Sequence, residues 1–494
     1  MRIIGSEESK LMDEYTIKNI GIPSEILMEN AAVGILENIE EVHKSFVIVC
    51  GTGNNGGDCL AAARHLYGKN KSIFIYLVGS EDKLTREAAL NYNILKNLGI
   101  GIKNIKTEDD IENLKAEILS CDAVIDGIFG IGLKRNVEGI YKDVITVINE
   151  YSNFTYSIDV PSGITADSGE VLGTAVQADM TITLNLYKTG FLSYCAMDYT
   201  GKIAVCDIGI PEEVKNRFHK GRFITDRAFI NSIWKSRSLI SNKGEFGRTL
   251  IFAGSTSFTG AAKLTSKAAI KAGAGLVTLI TKDQVFESLQ DNSSENMTVP
   301  FSERSRIVNL IDGADGIGFG PGLSKDEETL SMLKLVCQSA KCPVVIDADG
   351  LNVLKDNMKL LKSGEYVLTP HPKEMERLCG INIDEINKNR ISLAENYAEE
   401  NNVILLLKGY NTVITNGAET YINPTGSSAM ASGGMGDALT GIISSFIAQG
   451  YKPFTAAVLG AYIHGYIGDK LSEKMFSVNA SDLVNEIPYI LKEF

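Results

Sequence analysis

The sequence predicts an α/β protein with two successive domains, each built on a mainly parallel sheet between helices. Three observations lead to this fold class. Apolar runs without alternation, such as residues 46–50 and 403–407, are typical of strands buried on both faces. These runs alternate with helical patterns over residues 1–215, and the alternation resumes after about residue 235. The length of 494 residues is also too great for one ordinary hydrophobic core.

We expect a first domain at residues 1–215, a junction at 216–235 and a second domain at 236–494. Helices are expected at residues 7–20 and 24–42, ahead of the first strand, and at 58–68 after it. The predicted strands are residues 46–50, 72–78, 123–126, 156–160, 249–254, 276–280, 316–320, 343–347 and 403–407.

Charge and cysteine content exclude several classes of protein. The net charge of −13 argues against general binding to nucleic acid or anionic membranes, which reward Lys and Arg patches. None of the eight cysteines falls in a CxxC pair, and several lie in apolar runs, as buried free thiols do in a reducing compartment. The N-terminus has no signal-peptide core, and no apolar run reaches about 18 residues. We therefore expect a cytoplasmic protein.

A glycine-rich segment follows the first predicted strand. Residues 51–58 read GTGNNGGD and lead directly into a predicted helix. Glycine lets the backbone approach an anion closely, and a helix N-terminus offers free N–H groups. Asn54, Asn55 and Asp58 add polar side chains, so the segment predicts a binding loop rather than a simple turn. Its spacing matches neither the dinucleotide-binding fingerprint nor the P-loop.

Two further predicted strands end on carboxylates. Asp126 precedes a glycine-rich loop, and Asp159 precedes the segment VPSG at 160–163. The carboxyl ends of parallel strands form one rim of a sheet, so these loops should meet there. Asn55, Asp126 and Ser162 would then present oxygen ligands, which suit a large hard monovalent ion better than zinc. Either Asp alone could equally be a helix cap.

Residues 54–58 (NNGGD), 126–130 (DGIFG) and 159–163 (DVPSG) together resemble the NAD(P)H-hydrate epimerase family, also called the YjeF N-terminal domain. The resemblance covers nearly all of residues 1–215. It implies a Rossmann-like, three-layer fold with a parallel sheet and a bound potassium ion.

The resemblance also implies roles for individual residues. Asp159 would be the catalytic carboxylate, with Lys134 as the lysine beside it. Epimerisation at C6 of the hydrated nicotinamide ring needs proton transfers at the hydroxyl group and the ring nitrogen, which an Asp beside a Lys can assist. The implied potassium ligands are Asn55, Asp126 and Ser162. The implied substrate contacts are Asn54, Asn55, Gly56, Gly57, Asp58, Gly130, Ile131, Gly132, Leu133, Lys134, Arg135, Asn136 and Asp159.

A second glycine-rich segment precedes a helix in the C-terminal half. Residues 423–437 read NPTGSSAMASGGMGD, and an apolar helix follows Asp437. Glycines leading into a helix N-terminus form an anion hole for phosphate oxygens. An Asp at that point can accept the proton of an attacking hydroxyl group, as phosphoryl transfer requires.

Other strand-end loops support a site in the second domain. His371 lies between two prolines in the segment TPHPKE, where a contact with substrate is favoured over a purely structural role. The remaining loops are GSTSFTGA at 254–261, GPGL at 320–323, DADGLN at 347–352 and KGYNT at 408–412.

The segments TPHPKE and GGMGD resemble the ADP/ATP-dependent NAD(P)H-hydrate dehydratase family, the YjeF C-terminal domain of the ribokinase-like superfamily. This resemblance covers roughly residues 236–494 and implies a ribokinase-like α/β/α domain. Asp437 would be the catalytic base. The implied substrate contacts are Ala261, Gly322, His371 and Asp437. The implied nucleotide contacts are Lys408, Gly409, Tyr410, Asn411, Thr412 and Gly436.

Together the two resemblances imply a bifunctional enzyme that repairs hydrated NAD(P)H. They imply epimerisation of the R and S hydrates, followed by dehydration of the S form with ADP and Mg²⁺, and a homo-oligomer. Three alternatives are weighed against this. A small-molecule kinase would share the GGMGD chemistry, and a non-catalytic binding protein would share the folds. A thiol enzyme would use Cys59, for which the sequence offers no evident His partner.

Overall fold

The computed structural model of the chain describes residues 1–238, 240–290, 295–362 and 364–494. The chain divides into two compact units, which we call the first domain (Arg2–Lys220) and the second domain (Met1 and Gly221–Phe494). This division falls inside the expected junction 216–235. A strand and a helix form within that junction and count with the second domain.

The first domain alternates strands and helices. Its strands are β1 (Ile3–Ile4), β2 (Ser45–Cys50), β3 (Ser72–Val78), β4 (Ile102–Ile105), β5 (Ala123–Gly127), β6 (Thr155–Ile158), β7 (Met180–Leu184), β8 (Tyr187–Lys188) and β9 (Lys202–Cys206). Its α-helices are α1 (Ser6–Tyr15), α2 (Ser24–Asn38), α3 (Asn54–Gly68), α4 (Arg86–Asn97), α5 (Glu108–Ser120), α6 (Ile140–Tyr151), α7 (Met197–Thr200) and α8 (Glu212–Phe218). A π-helical turn, Thr16–Ile20, continues α1.

One parallel sheet organises the first domain. Within the described residues its strand order is β4-β3-β2-β5-β6-β7-β9, and all neighbouring pairs are parallel. The order reverses between β2 and β5, which makes a topological switch point, where ligands of open α/β sheets bind. Strands β1 and β8 pair separately, also in parallel.

Strand β2 is buried on both faces, as its unbroken apolar run predicts. Phe46 and Ile48 pack into the core on one side of the sheet, and Val47 and Val49 pack into the core on the other side. A strand with helices on both sides has no polar face, which explains why its side chains do not alternate in polarity.

Helix α3 begins at Asn54, four residues before the predicted start at residue 58. Residues 54–57 are therefore the first turn of the helix and not part of the loop. Gly56 is required there, because a Cβ atom at this position would lie 2.0 Å from the carbonyl oxygen of Gly51. Gly57 packs against Met28 and Ala88 of the neighbouring helices.

The second domain continues the alternation. Its strands are β10 (Arg222–Ile224), β11 (Arg248–Phe252), β12 (Leu276–Thr281), β13 (Met297–Pro300), β14 (Gly316–Phe319), β15 (Val344–Ile346), β16 (Tyr366–Leu368), β17 (Ile404–Leu407), β18 (Thr412–Thr415) and β19 (Thr420–Asn423). Its α-helices are α9 (Arg227–Ile233), α10 (Thr259–Lys271), α11 (Phe286–Gln290), α12 (Arg304–Asp312), α13 (Glu327–Ser339), α14 (Asp349–Leu354), α15 (Pro372–Cys379), α16 (Ile383–Lys388), α17 (Arg390–Asn401), α18 (Met435–Ala448), α19 (Pro453–Ser472) and α20 (Ala480–Ile490).

The sheet of the second domain is mixed. Among the described residues its order is β10-β19-β18-β17-β16-β15-β14-β11-β12-β13. Strand β18 is antiparallel to both of its neighbours, and the other pairs are parallel. The order reverses between β11 and β14, so the loops that leave these two strands flank a second switch point.

The structure confirms the predicted α/β fold class, and each predicted strand is present within two residues at either end. All eight cysteines are free, as expected, and five of them are buried. None of the described helices is long and apolar enough to cross a membrane.

The close contact at Gly56 predicts a position-specific stability effect. Gly56→Ala should lower the free energy of unfolding of the first domain by about 1–3 kcal/mol, because the new methyl group meets rigid backbone. Gly68→Ala, in the same helix, should be neutral or stabilising by up to about 1 kcal/mol, since its Cβ meets nothing within 4 Å. Hydrogen exchange of first-domain peptides measures both variants. Fluorescence of Trp234, the one tryptophan of the chain, reports whether the second domain is unchanged. Equal stability of the two variants would contradict the packing argument.

Candidate functional site

The first candidate site lies at the switch point between β2 and β5. The loops that leave these strands touch through their backbones, because a Cβ atom on Gly51 would lie 2.0 Å from the carbonyl oxygen of Ile128. Only glycine permits so close an approach. The glycines of the 51–58 segment therefore bring the start of α3 against the loop after β5.

The predicted oxygen ligands of this site do converge. The Asn55 amide donates to the carbonyl oxygen of Phe129 at 2.8 Å, and the Ser162 hydroxyl donates to Asp126 Oδ1 at 2.6 Å. The Phe129 N–H in turn donates to the Ser162 hydroxyl at 2.8 Å. Asn55 Oδ1 is buried and has no hydrogen-bond partner. A buried acceptor without a donor is the kind of atom that an ion or ordered water satisfies.

The Asp126 carboxylate is held inside the protein by several donors. Its Oδ2 accepts hydrogen bonds from the Ser157 hydroxyl at 2.8 Å and from the Ser162 N–H at 2.9 Å, and its Oδ1 also accepts from the Ile128 N–H. Burial raises the pKa of Asp126, and these hydrogen bonds oppose the shift.

Asp159 ends β6 in an unusual backbone conformation. Its φ of 63° lies in the left-handed region, which costs energy for a non-glycine residue and occurs often at functional sites. Its Oδ1 forms an ion pair with Lys188 Nζ at 2.8 Å. The Lys188 ammonium also donates to the Thr183 hydroxyl and to the carbonyl oxygens of Leu184 and Leu186. The lysine is 1% exposed, so its charge is compensated wholly inside the protein.

The lysine beside Asp159 is thus Lys188, where the sequence resemblance placed Lys134. Lys134 lies on an exposed loop at the edge of the cavity, and the ion pair of Asp159 goes to Lys188. No motif marks Lys188 in the sequence. Its position depends on β8, a two-residue strand whose partner is at the other end of the domain.

Asn55, Asp159 and Lys188 line a cavity of about 740 Å³ in the first domain, whereas Asp126 and Ser162 lie behind its wall. Most of the predicted substrate contacts lie on its wall: Asn54, Asn55, Asp58, Gly130, Ile131, Gly132, Leu133, Lys134, Arg135 and Asp159. Gly56, Gly57 and Asn136 are not on the wall. Gly56 lies against the backbone of Gly51, and Gly57 packs against Met28 and Ala88, which explains why the two glycines are absent from the cavity wall.

The cavity also holds two carboxyl groups with raised pKa values. Burial raises the pKa of Asp13 to about 7; the Lys188 ammonium lowers it and the Asp159 carboxylate raises it. Burial raises the pKa of Asp58 well above its ordinary value, and the charges of Asp159 and Asp13 raise it further. The buried Lys188 ammonium lies among these carboxyl groups, and burial favours the neutral forms of Asp13 and Asp58. The sequence motifs did not indicate Asp13.

The second candidate site lies at the switch point between β11 and β14. The predicted contacts Ala261 and Gly322 are adjacent, because a Cβ atom on Gly322 would lie 3.0 Å from the Ala261 methyl group. The Ser324 N–H donates to Asp349 Oδ2 at 2.9 Å, and the hydroxyl groups of Ser324 and Ser255 lie 3.0 Å apart. The loops after β11, β14 and β15 therefore meet at this site.

Asp437 lies in the first turn of α18, behind a left-handed glycine. Gly434 caps the helix with a φ of 91°, a conformation that favours glycine. Burial raises the pKa of Asp437 to about 6; Asp347 raises it as well, while Lys408 lowers it. A carboxylate with this pKa is ionised at neutral pH and remains a stronger base than an ordinary Asp.

Lys408 forms the centre of a buried charge cluster in the second domain. Its Nζ lies 2.7 Å from Asp347 Oδ1 and 3.8 Å from Glu374 Oε2, and the Thr440 hydroxyl donates to Asp347 Oδ2 at 2.9 Å. Burial by itself lowers the pKa of Lys408, but the two carboxylates outweigh it and the pKa is raised. A Cβ atom on Gly436 would lie 3.2 Å from Lys408 Nζ, so these predicted nucleotide contacts are neighbours. The motifs did not identify Asp347 and Glu374 as partners of Lys408.

The other predicted nucleotide contacts form the turn between β17 and β18. Gly409 and Asn411 both have positive φ values, of 140° and 52°, and the Thr412 hydroxyl donates to the carbonyl oxygen of Gly409. Tyr410 is exposed. This tight turn follows Lys408 directly along the chain.

His371 has a structural role as well as a place in the site. It caps α15, since its Nδ1 accepts a hydrogen bond from the Glu374 N–H while the Glu374 carboxylate accepts from the His371 N–H. Because Nδ1 is an acceptor, the neutral ring carries its proton on Nε2. Burial and the charge of Lys408 lower the pKa of His371, which favours the neutral ring.

Family models match both halves of the chain. Residues 24–190 match the model described as YjeF-related protein N-terminus, and residues 249–489 match the model of NAD(P)H-hydrate dehydratase.

Solved structures resemble the second domain. The ADP/ATP-dependent NAD(P)H-hydrate dehydratase of Bacillus subtilis, co-crystallised with ATP and Mg²⁺, is 28% identical with a TM-score of 0.51, and the match covers 55% of this chain and 98% of that protein. A ribokinase-like superfamily protein from Enterococcus faecalis is also 28% identical with a TM-score of 0.51, and the match covers 56% of this chain and 96% of that protein. Fold and sites thus define a two-domain α/β protein whose second domain is ribokinase-like.

Full-length relatives define the family. The bifunctional NAD(P)H-hydrate repair enzyme of Moorella thermoacetica is 36% identical over 513 residues, which cover 100% of this chain and 97% of the relative. That of Dictyoglomus turgidum is 33% identical and covers 100% of this chain and 99% of the relative. The chain belongs to the family of bifunctional NAD(P)H-hydrate repair enzymes. The predicted family, fold class and bifunctional enzyme class are confirmed, and the roles of individual residues stay predictions.

The ion pair of Asp159 predicts different stabilities for two lysine variants. Lys188→Met should destabilise the first domain by about 3–5 kcal/mol, because it leaves a buried carboxylate without its partner. Lys134→Met should change stability by no more than about 0.5 kcal/mol, since that side chain is exposed. Hydrogen exchange of first-domain peptides measures both effects. A larger loss of stability in Lys134→Met than in Lys188→Met would show that Lys134, and not Lys188, is the partner of Asp159.

Proposed function

We propose that this protein repairs hydrated NAD(P)H, with the first domain as epimerase and the second as ADP-dependent dehydratase that releases AMP and phosphate. The observation that carries this proposal is the position of Asp437. It is a carboxylate of raised pKa in the first turn of a helix, behind a left-handed glycine and beside the Lys408 cluster. This arrangement suits deprotonation of a hydroxyl group next to a bound phosphate.

In the dehydratase site, Asp437 takes the proton of the C6 hydroxyl group of the S hydrate. The hydroxyl oxygen attacks the terminal phosphorus of ADP, and AMP leaves with the electrons of the P–O bond. The lone pair of the ring nitrogen then expels phosphate from C6, and loss of a proton from C5 restores the double bond of NAD(P)H. The phosphate thus serves to make the hydroxyl group a good leaving group.

The remaining groups of the second site stabilise charge. The free N–H groups at the start of α18 suit the phosphate oxygens of the nucleotide. Lys408 lies beside Gly436 and supplies a fixed positive charge. His371, Ala261 and Gly322 would contact the hydrate, and residues 408–412 with Gly436 would contact ADP.

A magnesium ion would reach the site together with ADP. Within the described ranges no three His, Cys, Asp or Glu side chains are grouped as a metal site. This fits Mg²⁺, which binds nucleotides through their phosphates with few protein ligands and neutralises the charge that develops on them.

In the epimerase site, Asp159 would remove the proton of the C6 hydroxyl group, and Lys188 would hold the carboxylate in place. The substrate contacts are proposed to lie within residues 54–58 and 130–136, except Gly56, Gly57 and Asn136, which are not on the cavity wall. Lys134 and Arg135, on the exposed edge of the cavity, suit the phosphate groups of the dinucleotide better than the reacting ring.

The potassium site proposed for the first domain fits the side chains present. Asn55 Oδ1 is a buried oxygen without a donor, and Asp126, Ser162 and the Phe129 carbonyl group add oxygens around it. Neutral oxygens with one carboxylate suit a large monovalent cation. When bound, the ion would fix the loops after β2, β5 and β6 relative to each other.

Two properties beyond the chemistry are also proposed, the first from composition and the second from the resemblance. We expect a cytoplasmic enzyme, with which eight free cysteines agree. We also expect a homo-oligomer, which sedimentation analysis of the full chain would reveal.

Two single variants separate the two activities. A mixture of R and S hydrates should convert fully to NAD(P)H only when ADP is present. Asp437→Ala should lower the dehydration rate by about 10²–10⁴-fold, because the base is lost, and leave epimerisation intact. Asp159→Ala should do the reverse, so that only the S form is consumed. The absorbance of NAD(P)H and separation of the hydrates measure both. A stable phosphorylated product would contradict the proposal and indicate a kinase. Full dehydration by Asp437→Ala would show that another group is the base.

The dehydratase should lose activity at acid pH. The reaction needs ionised Asp437, whose pKa is about 6, so kcat/KM should fall about tenfold for each pH unit below that value. The rate of S-hydrate dehydration between pH 4.5 and 8 measures this limb. A profile that stays level down to pH 5 would show that a group other than Asp437 controls the rate.

A further inference from the structure

Polar groups outside the glycine-rich motifs line one wall of the first-domain cavity. Helix α1 contributes Ser9 and Asp13, four residues apart and therefore on the same face of the helix. The turn between β7 and β8 contributes Asn185, and β8 contributes Lys188. The epimerase function proposed above uses Lys188 and leaves the others without a role.

Asn185 brings an unpartnered hydrogen-bond acceptor to this wall. Its backbone is left-handed, with a φ of 65°, and the residue is 6% exposed. Its amide N–H donates to Met12 Sδ at 3.1 Å, and since a thioether can only accept, Oδ1 is the atom left over. Asn185 Oδ1 is buried without a partner, on a residue that lines the cavity. A hydrogen-bond donor on the ligand would satisfy this acceptor.

Asp13 stands on the same wall, within reach of the charges of Lys188 and Asp159. Asp159 pairs directly with Lys188. Among the described residues Asp13 forms no such ion pair, and burial favours its neutral form. Two carboxyl groups in one cavity with different surroundings, one held by an ion pair and the other buried nearby, are the pattern of an acid and a base.

We propose that Asp13 is the proton donor of the epimerase reaction and works with Asp159 as the base. The proposal rests on the epimerase function of the first domain and adds a catalytic residue from α1. Asn185 would accept a hydrogen bond from the substrate and hold the reacting ring between the two carboxyl groups.

The chemistry needs both groups at once. Asp159 takes the proton of the C6 hydroxyl group, and the electron pair that this leaves on oxygen forms the second bond of an aldehyde C=O. The C6–N1 bond breaks, its electron pair goes to the ring nitrogen, and Asp13 gives a proton to that nitrogen. Rotation about C5–C6 turns the other face of the aldehyde to the nitrogen. The reverse steps then close the ring with inverted C6 and return both protons, so no other reactant is consumed.

Several charged groups surround Asp13 and contribute to its titration. Lys188 lies on β8, Asp159 follows β6, and Asp58 lies on α3. The cavity wall adds Lys10 on α1 itself, Glu87 on α4, and Lys134 and Arg135 on the loop after β5. Because the pKa of Asp13 is about 7, the protonated acid disappears as the pH rises through neutrality, and epimerisation should slow at alkaline pH.

The test compares Asp13→Asn with Asp13→Glu and with Glu14→Gln in the full-length chain. Glu14 is the neighbouring acid on α1 and is exposed to solvent, so Glu14→Gln makes the same chemical change outside the cavity. Epimerisation of each hydrate is measured from pH 5.5 to 9. The ADP-dependent dehydration by the same chain, and hydrogen exchange of first-domain peptides, report on folding.

We expect Asp13→Asn to lower the kcat/KM of epimerisation by about 10²-fold and to abolish the alkaline limb near pH 7. Asp13→Glu should restore part of the rate, and Glu14→Gln should match the wild type. Wild-type rates in Asp13→Asn would overturn the proposal. So would a pH profile in which Asp13→Asn keeps the alkaline limb and Asp58→Asn loses it. Absence of epimerisation in the wild type would contradict the proposed function itself, a result distinct from either.

Discussion

Backbone contact between neighbouring strand-end loops is the constraint on which both sites depend. In the first domain Gly51 lies against the carbonyl group of Ile128. In the second, a Cβ atom on Gly320 would lie 1.9 Å from the carbonyl oxygen of Asp347. Each contact joins adjacent strands at or next to a switch point of the sheet, where α/β folds bind their ligands. A side chain at either glycine would separate the loops and, with them, the polar groups that the loops carry.

The two domains contain the same arrangement of charged groups, a lysine paired with one carboxylate and a further carboxyl group nearby. Each buries one lysine against a carboxylate, Lys188 with Asp159 and Lys408 with Asp347. Each also places a further carboxyl group nearby, for which the described residues show no ion pair, and burial raises its pKa to about 7 for Asp13 and about 6 for Asp437. Repair of a hydrated ring requires protons to move near neutral pH, and groups with these pKa values can both give and take them.

Local signals in the sequence predicted much of the fold and part of each site. Unbroken apolar runs identified β2 and its neighbours, because a strand with helices on both sides has no polar face. Glycines identified the loops, since close approach and positive φ leave few alternatives to that residue. The predicted start of α3 is four residues late, because a first turn of two asparagines and two glycines has little helical propensity of its own. Packing of α3 against α2 and α4 decides its first turn.

The sequence by itself determined the fold class, the two-domain organisation, the strand-end loops and the candidate base Asp437. The tertiary structure decided which lysine supports Asp159, which glycines face the cavity and which face the protein interior, and that Asp13 joins the first site. The reason is physical. Turns and strands follow from neighbouring residues, whereas an ion pair or a raised pKa depends on burial and on charges brought close by distant parts of the chain. Lys188 contacts Asp159 only after β6, β7 and β8 have assembled, so no local sequence pattern predicts this ion pair.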